Sequence, residues 1–393
     1  MEKQTIETVA SSHGVNSDHK KGLSKMEFKI KKIETFTNVH VSAVKLTMDD
    51  GSTGWGQMST YCADITCEIF HRQIVPHILG VSFSSFESVE NLILRKEHKF
   101  PGSYLLRAFS GIDTALWDWL GKIKRVSVVE LLGGQPGKLR VYGSSMKRDI
   151  TPKNEAQRLC KLRDEFGFDA FKFRIGSECG NGKDEWEGRT EEIIQTVPKA
   201  LGHGVEKLVD ANSCYFHIDA IEIGKKLIDN DISHFEEPCP YWLPNETKKV
   251  TEALEIDVTG GEQDCDIRIW QDLIDRKVTD IMQPDVMYMG GLTRALRVAE
   301  MANKANIPCT PHAANLSLVT ICTMHFLKSI PNSGKYLELS IEGSDYYPWQ
   351  VDLFYGTPFE VKEGQCSIPS GPGWGVDFNK KWLEKSSYKL CES

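Results

Sequence analysis

Between Phe28 and Gly56 the chain alternates apolar and polar positions, "FKIKKIETFTNVHVSAVKLTMDDGSTGWG". A period of two is the mark of half-buried strands, so the run predicts a small antiparallel meander turning at Asp49–Asp50–Gly51. From 64 to 130 the spacing becomes helical, with amphipathic segments around 66–78 and 86–97 and a long helix over roughly Leu105–Lys122. At Val141 the rhythm changes again. Eight short apolar runs, "LRVYGSSM", "AFKFRIG", "KLVDAN", "HFEEP", "DVTGGE", "DIMQPD", "PCTPHAA" and "YLELS", alternate with helical patterns over about 200 residues. Eight such repeats predict a closed (β/α)8 barrel rather than an open sheet. After Ser340 no further repeat follows, and the chain runs through "GPGWGVDF" to a polar end that is expected to return to the N-terminal domain.

One strand carries charge where none is expected. "GFDAFKFRIG" (167–176) sets Lys172 and Arg174 into an apolar run, two residues apart and so on one face. An unpaired buried charge costs several kcal/mol, so something must gather both to one side. The later strands supply the reason. Asp210 ends "KLVD", Glu236 ends "SHFE", Glu262 follows "TGG", Asp285 ends "IMQPD", His312 follows "CTP" and Glu338 lies in "YLEL". Their successive spacings are 26, 26, 23, 27 and 26 residues, the length of one βα unit, and Lys172 stands 38 residues before Asp210 with a longer loop between. Each is therefore expected at the C-terminal rim of a successive strand, where barrel enzymes carry their active sites. A helix N-cap would account for one such Asp or Glu, but not for the periodic set.

Three carboxylates on one rim, Asp210, Glu236 and Glu262, repel and titrate upward unless a cation lies between them. All-oxygen ligands with room for water and substrate oxygens suit Mg²⁺. Asp285 and His312 fall on neighbouring strands, and a carboxylate beside an imidazole makes a general base that works near neutral pH. The same carboxylates compensate Lys172 and Arg174.

Composition narrows the class further. With 393 residues, 40% of them hydrophobic, the chain can bury a large core and form more than one domain. A net charge of −8 and a pI near 5.8 give no support for nucleic-acid or anionic-membrane binding. No apolar run approaches the ~20 residues of a membrane-spanning helix. Eleven cysteines without CxxC or zinc-type spacing read as free thiols, which suits a reducing, cytoplasmic setting. Residues 1–25 are polar, lack a signal-peptide core and are expected to be a disordered leader, with Met26 an alternative start.

The motifs "DDGSTGWG" (49–56), "GIDTALWDWLGK" (111–122), "LLGG" (131–134), "KFR" (172–174), "DAN" (210–212), "EEP" (236–238), "GGE" (260–262), "QPD" (283–285), "PHAA" (311–314) and "GPGWGV" (371–376) follow one another in fixed order. From about residue 27 to 378 the chain resembles the mandelate racemase subgroup of the enolase superfamily. That resemblance implies a modified TIM (β/α)7–8 barrel with an N-terminal α+β capping domain completed by the C-terminal segment. The divisions are 26–138 for the capping domain, 139–345 for the barrel and 346–393 for the returning segment. It implies Asp210, Glu236 and Glu262 as Mg²⁺ ligands and Asp285–His312 as the dyad base. Glu338 would hydrogen-bond the substrate carboxylate or enolate, with Lys172, Arg174 and Asn212 as further substrate contacts. The shared step of the family is abstraction of the proton α to a carboxylate, giving an enediolate held by the metal.

The sequence departs from the family pattern in three places. Many members carry Lys-x-Lys on the second strand, the second Lys being the base opposite His; here that position is Arg174. A guanidinium is a poor base and a good carboxylate clamp. The loop that covers the site in the family is shortened to the tight turn of "FTNVHVS", so a lid is expected from "GQMSTYCADI" (56–65) or from a neighbouring subunit. Gln57 stands where "GWGE" is usual. With one competent base the expected reaction is dehydration of an acid sugar, aldonate or aldarate, to a 2-keto-3-deoxy acid. The alternatives are a racemase, epimerase or lactone cycloisomerase of a hydroxy acid using Lys172 and His312, and, in another class, a non-catalytic binding protein on the same scaffold. A homo-oligomer, dimer or octamer, is the expected assembly.

Overall fold

A computed structural model of the protein describes residues 26–393; the expected leader, 1–25, lies outside the described residues. The alternating run folds as expected. Strands β1 (Phe28–Thr37), β2 (Ser42–Met48) and β3 (Thr53–Gln57) form an antiparallel meander, with Ile33 opposite Leu46 and Val44 opposite Gly56. A two-residue strand, β4 (Ser82–Phe83), pairs with the start of β1. The predicted helix around 66–78 is one helical stretch from Ala63 to Ile78, interrupted by a π-turn at Phe70–Ile74, and the next runs Phe86–Lys96 behind a Ser85 cap.

The long helix, Ser103–Lys124, lies flat on β2 and β3. Glycine is required at that contact. A Cβ on Gly56 would collide with the backbone of Gly111 and Ala115, and one on Gly54 with Ala115 and Trp119. The same helix docks the C-terminal segment through buried Asp118 and the barrel through buried Asp113. Asp118 accepts from the backbone N–H of Trp55 (2.7 Å) and of Trp374 (3.1 Å), and Asp113 accepts from Thr293 N–H at 3.1 Å. Burial raises the Asp113 carboxyl to about 7, with Thr293 hydrogen bonds opposing the shift. "GIDTALWDWLGK" and "GPGWGV" are thus the two halves of one docking contact.

The barrel follows. Its parallel strands are β5 (Lys138–Ser144), β6 (Ala170–Arg174), β7 (Glu206–Asp210), β8 (His234–Glu236), β9 (Asp257–Gly260), β10 (Ile281–Met282) and β11 (Leu337–Ser340), and β11 pairs with β5 to close the ring. The seventh expected strand, "PCTPHAA", is reduced to a single bridging residue: Cys309 bridges Met282 on one side and Ser333 on the other. Pro308 and Pro311 flank it and have no N–H to give a ladder, so a regular strand cannot extend there. Two short strands, β12 (Val361–Lys362) and β13 (Gln365–Ser367), form a hairpin on β5, and the last, β14 (Ser387–Glu392), adds to the free edge of β1. No helix among the described residues is long and apolar enough to cross a membrane. All eleven cysteines are free.

Because Gly56 is pressed against the long helix, Gly56→Ala should destabilise the protein by ~1–3 kcal/mol in urea unfolding, the usual cost of forcing extra volume into a tight contact. An unchanged midpoint would contradict this strand–helix spacing.

Candidate active site

Parallel register brings the charged residues to one level. Arg174 pairs with Asp210, and Asp210 with Glu236, across β6, β7 and β8. Lys172, one pleat below Arg174, is fully buried and donates to Glu236 (2.5 Å), with Glu338 at 2.8 Å and Asp210 at 3.7 Å, above the ring of Tyr142. Arg174 pairs with Asp210 and also donates to Asn212 Oδ1 (2.6 Å) and to the Ser145 carbonyl (3.1 Å). Glu338 is held by the Ser144 hydroxyl (2.8 Å) and the Ala313 N–H (2.7 Å), and Gln283 donates to Glu236 at 2.7 Å. The question posed by "KFR" has its answer here. Both cations point into a mouth lined with carboxylates.

The dyad forms as well. His312 Nδ1 lies 2.8 Å from Asp285 Oδ2, which leaves Nε2 directed to the mouth, 3.5 Å from Glu262. Asp285 is itself fixed by the backbone N–H groups of Met287 and Tyr288.

Burial alone would lower the imidazole; the charge of Glu262, the hydrogen bond to Asp285 and the charge of Glu338 outweigh it and lift His312 to about 10. Burial would likewise lower Lys172, but Glu236 and Glu338 hold it well above its ordinary value. Burial would raise Glu236, yet Lys172 and His234 hold it well below the carboxylate range. Glu262 goes the other way. Burial, with the charges of Glu236 and Asp210, raises it to about 7 against the pull of His312. Glu237, the second residue of "EEP", is also buried and held well above its usual value, first by burial and then by Glu262 and Asp210. Its Oε1 has no partner.

Asp210, Glu236 and Glu262, with Glu237 beside them, are therefore a hard-oxygen donor set with more negative charge than the local cations neutralise, and its chemistry fits a divalent cation. As the side chains stand, no three His, Cys, Asp or Glu among the described residues converge closely enough to hold a metal, because Arg174 and Lys172 stand among them.

The structure brings Lys172, Arg174, Asp210, Asn212, Glu236, Glu262, Asp285, His312 and Glu338 together. The pattern missed Glu237, Gln283, Ser144 and Arg148, of which "EEP" and "QPD" contained the first two. It also missed an aromatic wall. The shortened turn is fixed by Asn38, whose side chain accepts from His40 and Val41 N–H. His40 stacks on Trp349 (5.7 Å), which also meets Tyr61 (5.9 Å) and Tyr347 (5.5 Å). Tyr61 comes from "GQMSTYCADI", the segment from which a lid is expected. Gln57 has a role too: it donates to Ser317 (2.9 Å) and accepts from Leu318 N–H (3.1 Å), tying β3 to the loop after His312.

Residues 26–133 match the family model for the mandelate racemase/muconate lactonizing enzyme N-terminal domain, and 154–382 match that for the enolase C-terminal domain-like fold. The chain belongs to the mandelate racemase/muconate lactonizing enzyme family. A structure from Roseobacter denitrificans, provisionally named a racemase, is 56% identical with a TM-score of 0.91, covering 93% of this chain and 100% of that one. Curated relatives include an arabinonate dehydratase of Saccharolobus solfataricus, 25% identical over 90% of this chain and 92% of its own. A D-galactarolactone cycloisomerase of Agrobacterium fabrum is 28% identical over 86% of this chain and 89% of its own. A family protein of Paracoccus denitrificans, solved in complex with magnesium, has the same fold at a TM-score of 0.83 and 24% identity, covering 93% of this chain and 98% of that one.

The raised His312 has a consequence for metal-free protein in this family. A folded-state value of about 10 against an ordinary 6.5 contributes stability that is complete below pH 6.5 and lost as the pH rises toward 10. In chelator-treated protein, the His312 ring signals in NMR should report imidazolium at pH 8, and Glu262→Gln should bring the titration down by more than one unit. Titration near 6.5 in both proteins would contradict the assigned contacts.

Proposed function

We propose that the chain is a Mg²⁺-dependent enzyme that removes the proton α to the carboxylate of an acid sugar and completes a dehydration to a 2-keto-3-deoxy acid. Asp210, Glu236 and Glu262 would hold the metal. Bound there, the cation would neutralise the carboxylates that lift His312 and would stabilise negative charge developing on the substrate carboxylate.

The protein's own groups account for the rest. Asp285 anchors Nδ1 of His312, so Nε2 is the atom that accepts the α-proton. Lys172 and Glu338 lie on the floor of the mouth, where a substrate carboxylate gains charge as it becomes an enediolate. The imidazolium then gives its proton to the departing β-hydroxyl, which leaves as water. The single observation that carries this reading is the asymmetry of the mouth. One side offers an imidazole oriented by a carboxylate; the other offers Lys172 and Arg174, both held cationic by buried carboxylates. One base favours a reaction finished on its own side. The dehydratases among the relatives support the same choice.

The second reading, racemisation or lactone cycloisomerisation with Lys172 as the other base, is favoured by the names of the Agrobacterium and Roseobacter relatives. A panel of acid sugars in deuterated water separates the two. The wild type should form a 2-keto-3-deoxy product and exchange the α-proton of one C2 epimer, and chelation should abolish both. His312→Asn should lose product and exchange, on the order of 10²–10⁴-fold for a general base, and Asp285→Asn should lose less. Comparable exchange of both epimers by the wild type would overturn the one-base reading.

A further inference from the structure

The loop after β5 carries a charge that the dehydration reading does not use. Arg148 is half-buried at the rim and donates from Nη2 to Asn212 Oδ1 at 2.5 Å. Arg174 donates to that same oxygen at 2.6 Å. Two guanidiniums thus share one neutral amide. Arg174 has Asp210 as a carboxylate partner, whereas Arg148 has none within hydrogen-bond distance among the described residues, and its buried Nε has no partner at all. A third guanidinium, Arg189, lies buried behind them and donates to the Arg174 carbonyl at 2.9 Å. Of the carboxylates whose charge reaches Arg148, Asp210 is already paired with Arg174, and Glu185 makes no ion pair with Arg148 among the described residues. Burial and the charge of Arg174 both press Arg148 downward, which a bound anion would reverse.

The position matters as much as the charge. Asn212 follows the third barrel strand, and Arg148 lies over it. His312 follows the seventh strand position, on the opposite side of the ring. A substrate with its α-carbon at His312 and its reacting carboxylate near Lys172 reaches Arg148 only with its far end.

We propose that Arg148, backed by Arg174 through their shared contact with Asn212, receives a second carboxylate at the distal end of the substrate, so that the acid sugar is an aldarate rather than an aldonate. This rests on the dehydration reading and narrows its substrate class. A planar guanidinium with no carboxylate of its own, and only Nη2 engaged with a neutral amide, is suited to a carboxylate, and an aldonate would place a neutral hydroxymethyl group against it.

The test compares matched pairs, galactarate with galactonate and glucarate with gluconate, on the metal-loaded wild type, Arg148→Met and Arg148→Lys. The wild type should favour the aldarate of a pair by at least about tenfold in kcat/KM. Arg148→Met should raise the aldarate KM by about 10–100-fold with kcat little changed, as expected for losing one charged contact, and leave the aldonate KM alone. Arg148→Lys should recover part of the loss. The thermal stabilisation that the aldarate gives the wild type should vanish in Arg148→Met. A wild type that prefers the aldonate, or an Arg148→Met loss equal for both acids, overturns the inference and leaves dehydration standing. No α-proton exchange with any acid sugar of the wider panel overturns the dehydration reading itself.

Discussion

The mouth of the barrel holds more anionic than cationic groups, and the rest of the site depends on that imbalance. Asp210, Glu236, Glu237, Glu262, Asp285 and Glu338 face Lys172, Arg174 and His312, with Arg148 at the rim and His234 beside Glu236. Like charges confined out of water must be neutralised by cations, by protons or by a metal. Side-chain cations lie among them, and the remaining charge shifts the titration of the neighbouring groups. Glu262 and Glu237 are pushed toward the protonated form, His312 toward the imidazolium, and Lys172 and Arg174 lie among the remaining carboxylates. A divalent cation would replace several of these compensations at once, releasing His312 to act as a base. Glu236 and Glu338 flank Lys172 and favour its cationic form.

The capping domain is what makes such a mouth a closed site. Its long helix contributes Asp113 and Asp118 to backbone donors of the barrel and of the C-terminal segment, and Gln57 pins β3 to the loop behind His312. Cap and dyad are thereby positioned by one another. Tyr61, Tyr347 and Trp349 pack together beside the tight turn at His40, two of them contributed by the chain beyond β11. A rigid aromatic wall of this kind sets substrate length and shape with little entropy lost on binding.

Much of this was legible in the sequence because βα units have a fixed length. A charged residue at the end of each strand recurs at that interval, so Asp210, Glu236, Glu262, Asp285, His312 and Glu338 could be placed on one rim without coordinates. The meander was legible from its period of two. Other features leave no periodic trace. The seventh strand position looked like its neighbours, yet Pro308 and Pro311 remove the donors that a ladder needs. Glu237 sits one residue from a rim position, and only its left-handed backbone, φ 44°, turns it inward. Arg148 and Trp349 lie in loops whose direction is set by tertiary packing, so neither spacing nor composition marked them; Tyr61 lies within the segment 56–65 from which a lid is expected.

The excess of buried carboxylates is one that a divalent metal would correct, and metal binding measured together with its protons tests that most directly. Calorimetric titration of chelator-treated protein with Mg²⁺ near pH 7, in buffers of different ionisation enthalpy, gives the number of protons released. The account predicts saturable binding with net proton release, diminished in Glu262→Gln. Binding without proton release, or no binding by the wild type, would contradict it.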